Sequence, residues 1–477
     1  MRSIGTLILA CVLMSSTAFA GHLPGGNITY ECVGAGQYEV TLTLFRDCGG
    51  NELIDQALKF ASDCGTSFTV PALPVGTGTE VSQLCPAQLP LSSCSGGDLP
   101  GFEVYQVVTT VPLGPCNSWT ISWNECCRTT SLNLSGNPGT YVEARLNNAS
   151  APCNNSPVFT QDVVPYVCVN EPVNYNLAVT ESDGHMLRYR LIDARQHEIP
   201  VNVQYANGLS GIEPYPGLEI DSLTGQITFT PTAQGKIFVA VLVDEYLSNG
   251  VWIGSVMRDF PFEVIACANQ APDPAAGEII GLTGDPETTG PMSFTMCSYG
   301  AFCFDAEFTD ADDTQSISLT SNVNTVLPGA TFSFTGTNPA VATICWEGTG
   351  LPAGDLGFVI TAEDNACPNT GLTTFAYSIS VIPDNEGECL GTSTGIIERA
   401  GMLRLTPVPA TDQLWVAHDL DRPVPIRIVD LNGRIVLERT IPAGRVPLDV
   451  TALAPGAYVC EYALGSSHGE QRIIIAR

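Results

Sequence analysis

Lysine is nearly absent from this chain, and basic residues are scarce as a whole. Only Lys59 and Lys236 occur among 477 residues, and 19 Lys and Arg residues stand against 49 Asp and Glu residues, for a formal net charge of −30. Proteins that bind nucleic acid cluster Lys and Arg against the phosphates, so the composition excludes nucleic acid as a partner. An acidic surface keeps an exported protein soluble, and it also supplies carboxylates for a calcium ion.

The usual motifs of catalytic and metal centres are missing as well. No Cys-x-x-Cys spacing is present for a zinc ribbon or a redox dithiol, and no histidine lies in a His-Glu-x-x-His motif. Gly-x-Ser-x-Gly occurs around Ser393 and around Ser467. A nucleophile elbow needs a strand before the serine and a helix after it, whereas we predict a linker and a turn at these places. We therefore predict a protein that is not an enzyme and has no catalytic residues.

The first twenty residues have the pattern of a secretory signal peptide. Arg2 gives a basic start, residues 4–14 form a short apolar core, and residues 18–20 read Ala-Phe-Ala, a small-x-small cleavage site. We predict that residues 1–20 are removed and that the mature chain begins at Gly21. The protein is therefore expected to be secreted, at the outer surface of the cell or in the medium.

Two alternatives bear on this expectation. Residues 8–11, Ile-Leu-Ala-Cys, could be a lipoprotein cleavage box, but that leaves only ten residues for the signal. A membrane-spanning helix needs about 20 apolar residues, and the longest later apolar stretch, residues 237–243, ends at Asp244. We predict no membrane helix after the signal.

Eighteen cysteines in an exported chain predict disulfides and not free thiols. Cys11 leaves with the signal peptide and Cys460 lies near the C-terminus, so sixteen remain, an even number that suits a fully paired chain. Cys168 and Cys267 stand at the two ends of one predicted domain, and we predict that they pair. A bridge between adjacent residues is strained, so Cys126 and its neighbour are expected to have separate partners.

Alternating hydrophobic and polar residues recur along the whole chain, and no stretch sustains a helical period. Tyr38, Val40, Leu42 and Leu44, for example, alternate with polar residues, and Gly and Pro separate such runs. This pattern predicts an all-β fold of tandem β-sandwich domains, Ig-like or cadherin-like, with a small C-terminal β-sandwich. The predicted domains after the signal peptide are a cysteine-rich β domain (21–160), an Ig-like or cadherin-like domain (161–268), a second Ig-like domain (269–384), a linker (385–400) and a C-terminal domain (401–477).

The C-terminal domain differs from the rest in charge and in motif. Residues 401–477 hold eight Arg and eight Asp or Glu residues, so the whole net charge of −30 lies before them. Short predicted strands follow one another from Leu405, with ordered signals between them. These signals are Pro407, Pro409, Asp412, Asp430, Gly433, Leu448, Leu453, Gly456 and Tyr458.

This succession resembles the C-terminal sorting domain of the type IX secretion system of Bacteroidetes-type bacteria. The resemblance implies that the chain passes through the outer membrane and that the secretion machinery recognises residues 401–477. It also implies that this module is removed during attachment or release.

The cysteine-rich domain carries a second resemblance. Its segments GGNITYEC (residues 25–32), YEVTLTLFRDC (38–48) and SWNECCR (122–128) resemble the N-terminal region of large secreted surface proteins of Bacteroidetes, many of which carry Ig-like or PKD-like modules. The resemblance implies a surface protein without naming what it contacts.

One acidic cluster in the third predicted domain is a candidate calcium site. Calcium takes six to eight oxygen ligands, and carboxylates at alternate positions of a turn can converge on one ion. The corresponding turn of the preceding domain, residues 181–185, departs from an Asp-rich pattern at Glu181 and His185 and is a weaker candidate. Calcium is the only cofactor that the sequence suggests, with the predicted ligands Asp305, Asp310, Asp312, Asp313 and Asp364.

We therefore predict a non-catalytic secreted or cell-surface adhesin, or structural interaction protein, exported by type IX secretion. Its partners are the secretion machinery and a surface, protein or glycan ligand that the sequence does not identify. The alternatives are a secreted glycan-binding or glycan-active protein and a calcium-dependent assembly module. Trp123, Trp252 and Trp346 could stack on sugars, but tryptophans in β-sandwiches are more often part of the core.

The intact mass of the protein recovered from its native host, with and without reduction, tests the export prediction. We expect a chain that begins at Gly21, lacks about the last 75 residues if the sorting module is removed, and carries eight disulfides. Added mass at the new C-terminus would indicate anchoring to the envelope. A chain that retained residues 401–477, or held many free thiols, would contradict the prediction.

Overall fold

The computed structural model describes residues 23–383, Cys389 and residues 404–476. Short gaps in this description are residues 207, 274, 285, 348–349, 407–409, 419–422, 431–433, 443 and 465–466. The chain divides into two compact units, residues 1–391 and residues 392–477. In the part of the chain that the structure describes, no helix is long and apolar enough to cross a membrane.

The first module is a large antiparallel array in which strands such as β8 bury several consecutive side chains, whereas the first half of β2 alternates. Tyr38, Val40, Leu42 and Leu44 are all buried, as the alternation predicts. Short 3₁₀ helices follow β5 at Leu89–Leu91 and Ser93–Ser95. The strands are β1 (Gly25–Gly34), β2 (Gln37–Asp47), β3 (Gln56–Ser62), β4 (Ser67–Leu73), β5 (Thr79–Glu80), β6 (Phe102–Pro112), β7 (Trp119–Glu125) and β8 (Thr140–Leu146).

The second module is a sandwich with Ig-like strand order. One layer is β10, β19, β18 and β13, with β10 parallel to β19, and the other is β11, β17 and β16. These sets correspond to strands A′, G, F and C and strands B, E and D of an Ig fold. The strands are β9 (Val158–Phe159), β10 (Tyr166–Cys168), β11 (Val173–Asn176), β12 (Val179–Thr180), β13 (Met186–Ile192), β14 (Arg195–Gln196), β15 (Val201–Asn202), β16 (Glu219–Ile220), β17 (Gln226–Phe229), β18 (Gly235–Tyr246) and β19 (Trp252–Ile265).

Strand pairing crosses the predicted boundary between residues 160 and 161. One edge of β19 pairs with β18, whereas the other edge pairs with β8 and β1 of the first module and then with β10. Asn27 lies opposite Arg258, and Ala144 lies opposite Val256. The first and second modules therefore share one sheet, because β19 is long enough to form backbone hydrogen bonds with strands of both modules.

The third module, whose described strands run from Ile279 to Ile382, is a separate sandwich. Its sheets have the orders β20-β23-β26-β25 and β21-β22-β28-β27-β24, which match the A-B-E-D and G-F-C layers of an Ig fold. The elements are β20 (Ile279–Gly284), β21 (Glu287–Gly290), β22 (Ser293–Cys297), β23 (Ala301–Phe308), β24 (Ser318–Ser321), α1 (Val323–Val326), β25 (Thr331–Gly336), β26 (Ala340–Glu347), β27 (Gly354–Glu363) and β28 (Leu372–Ile382).

The C-terminal unit is a small sandwich of two sheets, with the orders β29-β30-β33 and β32-β31-β34-β35. Its core contains Leu405, Leu414, Ile426, Leu448 and Ile473. The strands are β29 (Arg404–Thr406), β30 (Gln413–His418), β31 (Val424–Asp430), β32 (Ile435–Ile441), β33 (Gly444–Asp449), β34 (Gly456–Leu464) and β35 (Ser467–Ile475).

Among the residues that the structure describes, disulfides join sixteen cysteines in eight pairs, one of which is Cys168 with Cys267, the pair expected from their positions. Cys460 is free and buried, and burial raises the pKa of its thiol to about 12. The expectation for the adjacent cysteines is wrong: Cys126 and Cys127 pair with each other, because every other cysteine of the first unit that the structure describes has its own partner. The pairs are Cys32–Cys153, Cys48–Cys94, Cys64–Cys116, Cys85–Cys367, Cys126–Cys127, Cys168–Cys267, Cys297–Cys389 and Cys303–Cys345.

The Cys85–Cys367 disulfide ties the first module to the third across 282 positions of sequence. Gln83 supports it, because its Oε1 accepts from the backbone N of Tyr166 (2.9 Å) and its Nε2 donates to the backbone O of Thr370 (2.6 Å). The side chain of Gln83 therefore contacts the second and third modules at once. We call this contact, made by Cys85, Cys367 and Gln83, the clasp.

We expect the loss of the clasp to destabilise the first unit. Removing a native disulfide typically costs about 2–5 kcal/mol, so Cys85→Ser combined with Cys367→Ser should lower the urea midpoint and speed proteolysis near residue 367. The matched control is Cys64→Ser combined with Cys116→Ser, which removes a bridge inside the first module and leaves the clasp intact. Equal protease resistance of the clasp variant and the wild type would contradict the prediction.

Candidate functional site

A cleft of about 660 Å³ lies between the second and third modules. Residues of β13 and of the turn before it line one wall, and residues of β27 and β28 line the other. Clefts of about 300–1,000 Å³ at module interfaces are the usual size and place of ligand sites. This cleft is therefore the candidate binding site of the first unit.

The turn of residues 181–185 forms one end of the cleft, and hydrogen bonds to the carboxylate of Glu181 hold its backbone in place. Glu181 Oε1 accepts from the backbone N of Asp183 (2.7 Å), and Glu181 Oε2 accepts from the backbone N of His185 (2.5 Å). His185 Nδ1 lies 2.8 Å from Oε1 of Glu245, a residue near the end of β18. The result is a line of carboxylate, imidazole and carboxylate at the edge of the cleft.

Burial dominates the electrostatics of this line. It raises the pKa of Glu245 to about 7, although the hydrogen bonds from His185 and Asn154 oppose the rise. It also raises the pKa of Glu181, against the hydrogen bonds from the turn backbone. Both carboxyl groups therefore hold their protons more tightly in the folded chain than in the unfolded one.

The opposite wall presents charge and hydroxyl groups. Asp355 Oδ2 lies 3.5 Å from Nη2 of Arg188, and Asp355 Oδ1 accepts from Oγ of Ser380 (2.7 Å). The Arg188–Asp355 pair joins the two walls and is partly exposed. Such an exposed ion pair contributes little stability, so its side chains are available to a ligand.

Three of the five predicted calcium ligands lie together, at the junction of the second and third modules. Asp310 Oδ1 accepts from the backbone N of Asp312 (2.8 Å), and Asp312 Oδ2 accepts from Nε2 of Gln315 (3.0 Å). The same Gln315 Nε2 donates to Oδ1 of Asn269 (2.7 Å), whose Nδ2 donates to Oδ2 of Asp364 (2.8 Å). Sequence reasoning missed Asn269 and Gln315, because neutral amides carry no acidic pattern.

The other two predicted ligands lie elsewhere in the module. Asp305 is on the exposed face of β23 and accepts from Oγ1 of Thr343 (2.7 Å). Asp313 is exposed to solvent. Alternation along β23 places Asp305 on the outside of the sandwich, whereas Asp310 follows the end of the strand and turns inward.

The tryptophans give no support to a sugar-stacking surface. Trp123 and Trp346 are 3% and 2% exposed, and their indole N–H groups donate to Gln56 Oε1 (2.7 Å) and to the backbone O of Pro328 (3.3 Å). Trp252 is partly exposed and donates to Oδ1 of Asp244 (3.1 Å).

The predicted sorting residues serve the fold of the C-terminal unit where the structure describes them. Asp430, the last residue of β31, accepts from the backbone N of Arg434 (3.0 Å). Tyr458 is buried and donates to the backbone O of Ala454 (2.8 Å). The backbone O of Asp412 accepts from Val450 (3.0 Å), and Gly456 begins β34. The remaining predicted residues, Pro407, Pro409 and Gly433, lie outside the described residues.

The raised pKa of Glu245 predicts that the first unit loses stability as pH rises. Below about pH 4.5 the carboxyl group is protonated in both states, and above about pH 7 the folded chain must bury its charge. The unfolding free energy should therefore fall between these two values. We expect Glu245→Gln to reduce this slope, measured by urea unfolding between pH 4.5 and 8. Glu213→Gln, which alters an exposed carboxylate, should keep the wild-type slope, and an unchanged slope in Glu245→Gln would refute the assignment.

Comparisons with known proteins bear mainly on the C-terminal unit. No curated protein matches the chain. Among solved structures, the N-terminal four Ig domains of Dscam1 isoform 6.44 are similar at 10% identity, with 94% of this chain and 99% of that chain covered and a TM-score of 0.18. The fibronectin(III)-like modules of CbhA from Clostridium thermocellum are similar at 13% identity, with 49% and 97% covered and a TM-score of 0.14.

The endo-fucoidan hydrolase MfFcnA4 from glycoside hydrolase family 107 is similar at 13% identity, with a TM-score of 0.16. The match covers 69% of this chain and 42% of the hydrolase, so the chain spans less than half of that enzyme. TM-scores this low carry no argument about function, and the sandwich architecture rests on the strand pairing described above.

The family model described as a secretion system C-terminal sorting domain matches residues 404–476. The matched range spans the seven strands that the structure describes in the C-terminal unit. Residues 404–476 are therefore a type IX secretion system C-terminal sorting domain, and the chain that carries them is exported to the cell surface or the extracellular medium.

Proposed function

We propose that this exported chain is a non-catalytic adhesin or structural interaction protein. The observation that carries the proposal is the way in which three modules are locked into one unit. The first and second share the long strand β19, and the clasp joins the first to the third through Cys85–Cys367. A binding surface on such a unit is preorganised, so little conformational entropy is lost when it meets its partner.

The buried charges of the first unit support a structural role. Arg128 and Asp259 are both fully buried and form an ion pair with an Nη2–Oδ2 distance of 2.5 Å. Lys236 Nζ lies 3.0 Å from Glu263 and 3.3 Å from Asp47, which ties β18 and β19 to β2. These charged groups pair with one another inside the fold, although Arg128 Nε and Asp259 Oδ1 have no hydrogen-bond partner among the described residues.

Arg258 has a comparable structural position. Its guanidinium is completely buried and lies 4.9, 5.2 and 5.7 Å from the ring centroids of Phe45, Phe159 and Phe260. A cation among three aromatic rings is stabilised by their faces. The side chain thus joins residues of the first and second modules across their shared sheet.

The cleft between the second and third modules is the contact surface that we propose. Its accessible groups include the carboxylate of Asp355, the guanidinium of Arg188 and the hydroxyl of Ser380. Paired charges and hydroxyls suit a polar partner, either a protein surface or a glycan. We further propose that the sorting domain is removed once the secretion machinery has exported the chain.

An adhesion assay with the producing bacterium tests the proposal. Cells that lack the gene should adhere less, and the wild-type gene should restore adhesion. Arg188→Glu places a second negative charge beside Asp355 and should reduce the restored adhesion several-fold at unchanged surface abundance. Arg190→Glu is the matched control, because Arg190 is on the same strand but pairs with Asp244 outside the cleft (2.8 Å).

Two outcomes of this assay would count against the proposal. Full adhesion of the deletion strain would argue against an adhesive function. Equal effects of Arg188→Glu and Arg190→Glu would place the contact surface away from the cleft.

A further inference from the structure

Lys236, one of only two lysines in the chain, lies between two carboxylates inside the first unit. Its Nζ is 3.0 Å from Oε2 of Glu263 and 3.3 Å from Oδ2 of Asp47. The side chains of Lys236, Glu263 and Asp47 are 17%, 10% and 18% exposed. An amine, a carboxyl group and a second carboxylate that can move protons between them are the reactants and the catalyst of an amide-forming reaction.

The strands fix the position of each of the three groups. Lys236 on β18 lies directly opposite Glu263 on β19 in the antiparallel ladder, so the register of these strands sets the contact between amine and carboxylate. Asp47 is the last residue of β2, where it pairs with Phe102 and is followed by the Cys48–Cys94 disulfide. The three groups therefore come from two modules and meet beside the sheet that the modules share.

Aromatic rings restrict the access of water to the lysine. The centroid of the Phe102 ring lies 5.6 Å from Nζ of Lys236, and the ring of Tyr166 packs edge-on against Phe102 with centroids 5.9 Å apart. Both rings belong to one buried apolar cluster. Charged groups are unfavourable in such surroundings, whereas a neutral amide in their place carries no charge to bury.

The two oxygens of Asp47 have different surroundings. Oδ1 accepts from the backbone N of Gly49 (3.0 Å), whereas Oδ2 faces Lys236. The Gly49 N–H is thus placed to stabilise negative charge that develops on Oδ1 when an amine adds to Cγ, and Oδ2 is the oxygen that can leave. Apart from its contact with Nζ, Oε2 of Glu263 has no hydrogen-bond partner among the described residues, so it is free to accept a proton.

The electrostatics place the proton acceptor beside the lysine. Burial raises the pKa of Glu263, although the attraction of Lys236 opposes the rise. Burial also disfavours the charged form of Lys236, but Glu263 and Asp47 outweigh this effect and raise the pKa of the lysine. The ammonium is therefore the resting form of Lys236. The proton that must leave Nζ before it can attack has an acceptor of increased proton affinity 3.0 Å away.

We infer that Lys236 and Asp47 form an intramolecular amide bond, with Glu263 as the general base and acid. Glu263 moves one proton from Nζ to Oδ2 of Asp47, which leaves a neutral amine beside a neutral carboxylic acid. The lone pair of Nζ then adds to Cγ, and the Cγ–Oδ2 bond breaks with its electron pair on the oxygen. Glu263 moves a second proton from the nitrogen to this oxygen, which departs as water.

The atoms of this reaction balance without a cofactor or an oxidant. Of the three hydrogens of the ammonium, one stays on the amide nitrogen and two leave in the water molecule. Glu263 ends in the state in which it began. Because the reacting groups are held together by the fold, the reaction is intramolecular and is favoured by proximity.

The amide would join the first module to the second covalently, as the clasp joins the first to the third. Unlike the clasp, it would survive thiol reductants, because no sulfur takes part in it. This inference goes beyond the proposed function and does not depend on it, since the bond forms within the chain whether or not the chain adheres to a surface.

Mass spectrometry of the purified full chain, after reduction and unfolding, tests the inference. We expect the wild type to be lighter by one water molecule than its sequence requires. Protease digestion should release one branched peptide in which Lys236 is joined to Asp47.

Three variants separate the proposed roles. Lys236→Arg keeps the positive charge but offers a guanidinium that cannot be deprotonated, so this variant should have the full mass. Glu263→Gln cannot carry protons and should reduce the linked fraction at least tenfold at a fixed time after synthesis. Lys59→Arg is the matched control, because Lys59 pairs in an exposed position with the single carboxylate of Glu198, and this variant should be linked as fully as the wild type.

Several results would overturn the inference. One is the full mass in a wild-type chain that urea unfolding shows to be folded, and another is a loss of water that maps to any other pair of residues. Wild-type linkage in Glu263→Gln would exclude the proposed proton transfer. If Lys236→Arg does not fold, the branched peptide of the wild type still decides, because fragment masses identify the two joined residues. None of these results bears on the adhesion assay, which varies Arg188.

Discussion

The hydrogen-bonding requirement of one strand, β19, organises the first unit. A buried strand must pair the backbone N–H and C=O groups on both of its edges. One edge of this 14-residue strand is covered by β18 along its length. The other edge is divided among β8, β1 and β10, none of which could cover it alone. Because β8 and β1 belong to the first module, neither sandwich is complete without the other.

The same strand explains why so many charges are buried. Arg258, Asp259 and Glu263 all lie on β19, where a polar side chain that enters the core must find a partner. Asp259 forms an ion pair with Arg128, which lies in the loop that follows β7, and Glu263 forms an ion pair with Lys236. Buried pairs of this kind add little net stability. The loss of one partner, however, leaves the other as an unpaired buried charge, which strongly destabilises the fold. Their contribution is to fix which loops meet the shared sheet.

The sequence was sufficient for those features that depend on local pattern. Alternation at Tyr38, Val40 and Leu42 predicts a buried strand, and their positions in β2 agree. An even number of cysteines predicts complete pairing, and the spacing of motifs after residue 404 predicts the sorting domain.

Features that depend on long-range geometry could not be predicted in this way. The sharing of β19 joins residues that are more than 200 positions apart, such as Asn27 and Arg258, and no local pattern records it. At the junction of the second and third modules, the carboxylates of Asp310, Asp312 and Asp364 could be proposed from the acidic pattern of the sequence. The participation of Asn269 and Gln315 could not be proposed in this way. It depends on the folding of the chain that brings Asn269 next to Gln315, 46 positions further along the sequence.

The clasp also changes what a protease can accomplish outside the cell. A single cut of the backbone between Cys85 and Cys367 leaves both pieces joined by that disulfide. The shared sheet and the hydrogen bonds of Gln83 to Tyr166 and Thr370 would hold the pieces in place as well. In a medium that contains extracellular proteases, the protein can thus be nicked within its central 280 or so positions without shedding a fragment. Its integrity in that setting depends on the redox state of one cystine more than on the continuity of its main chain.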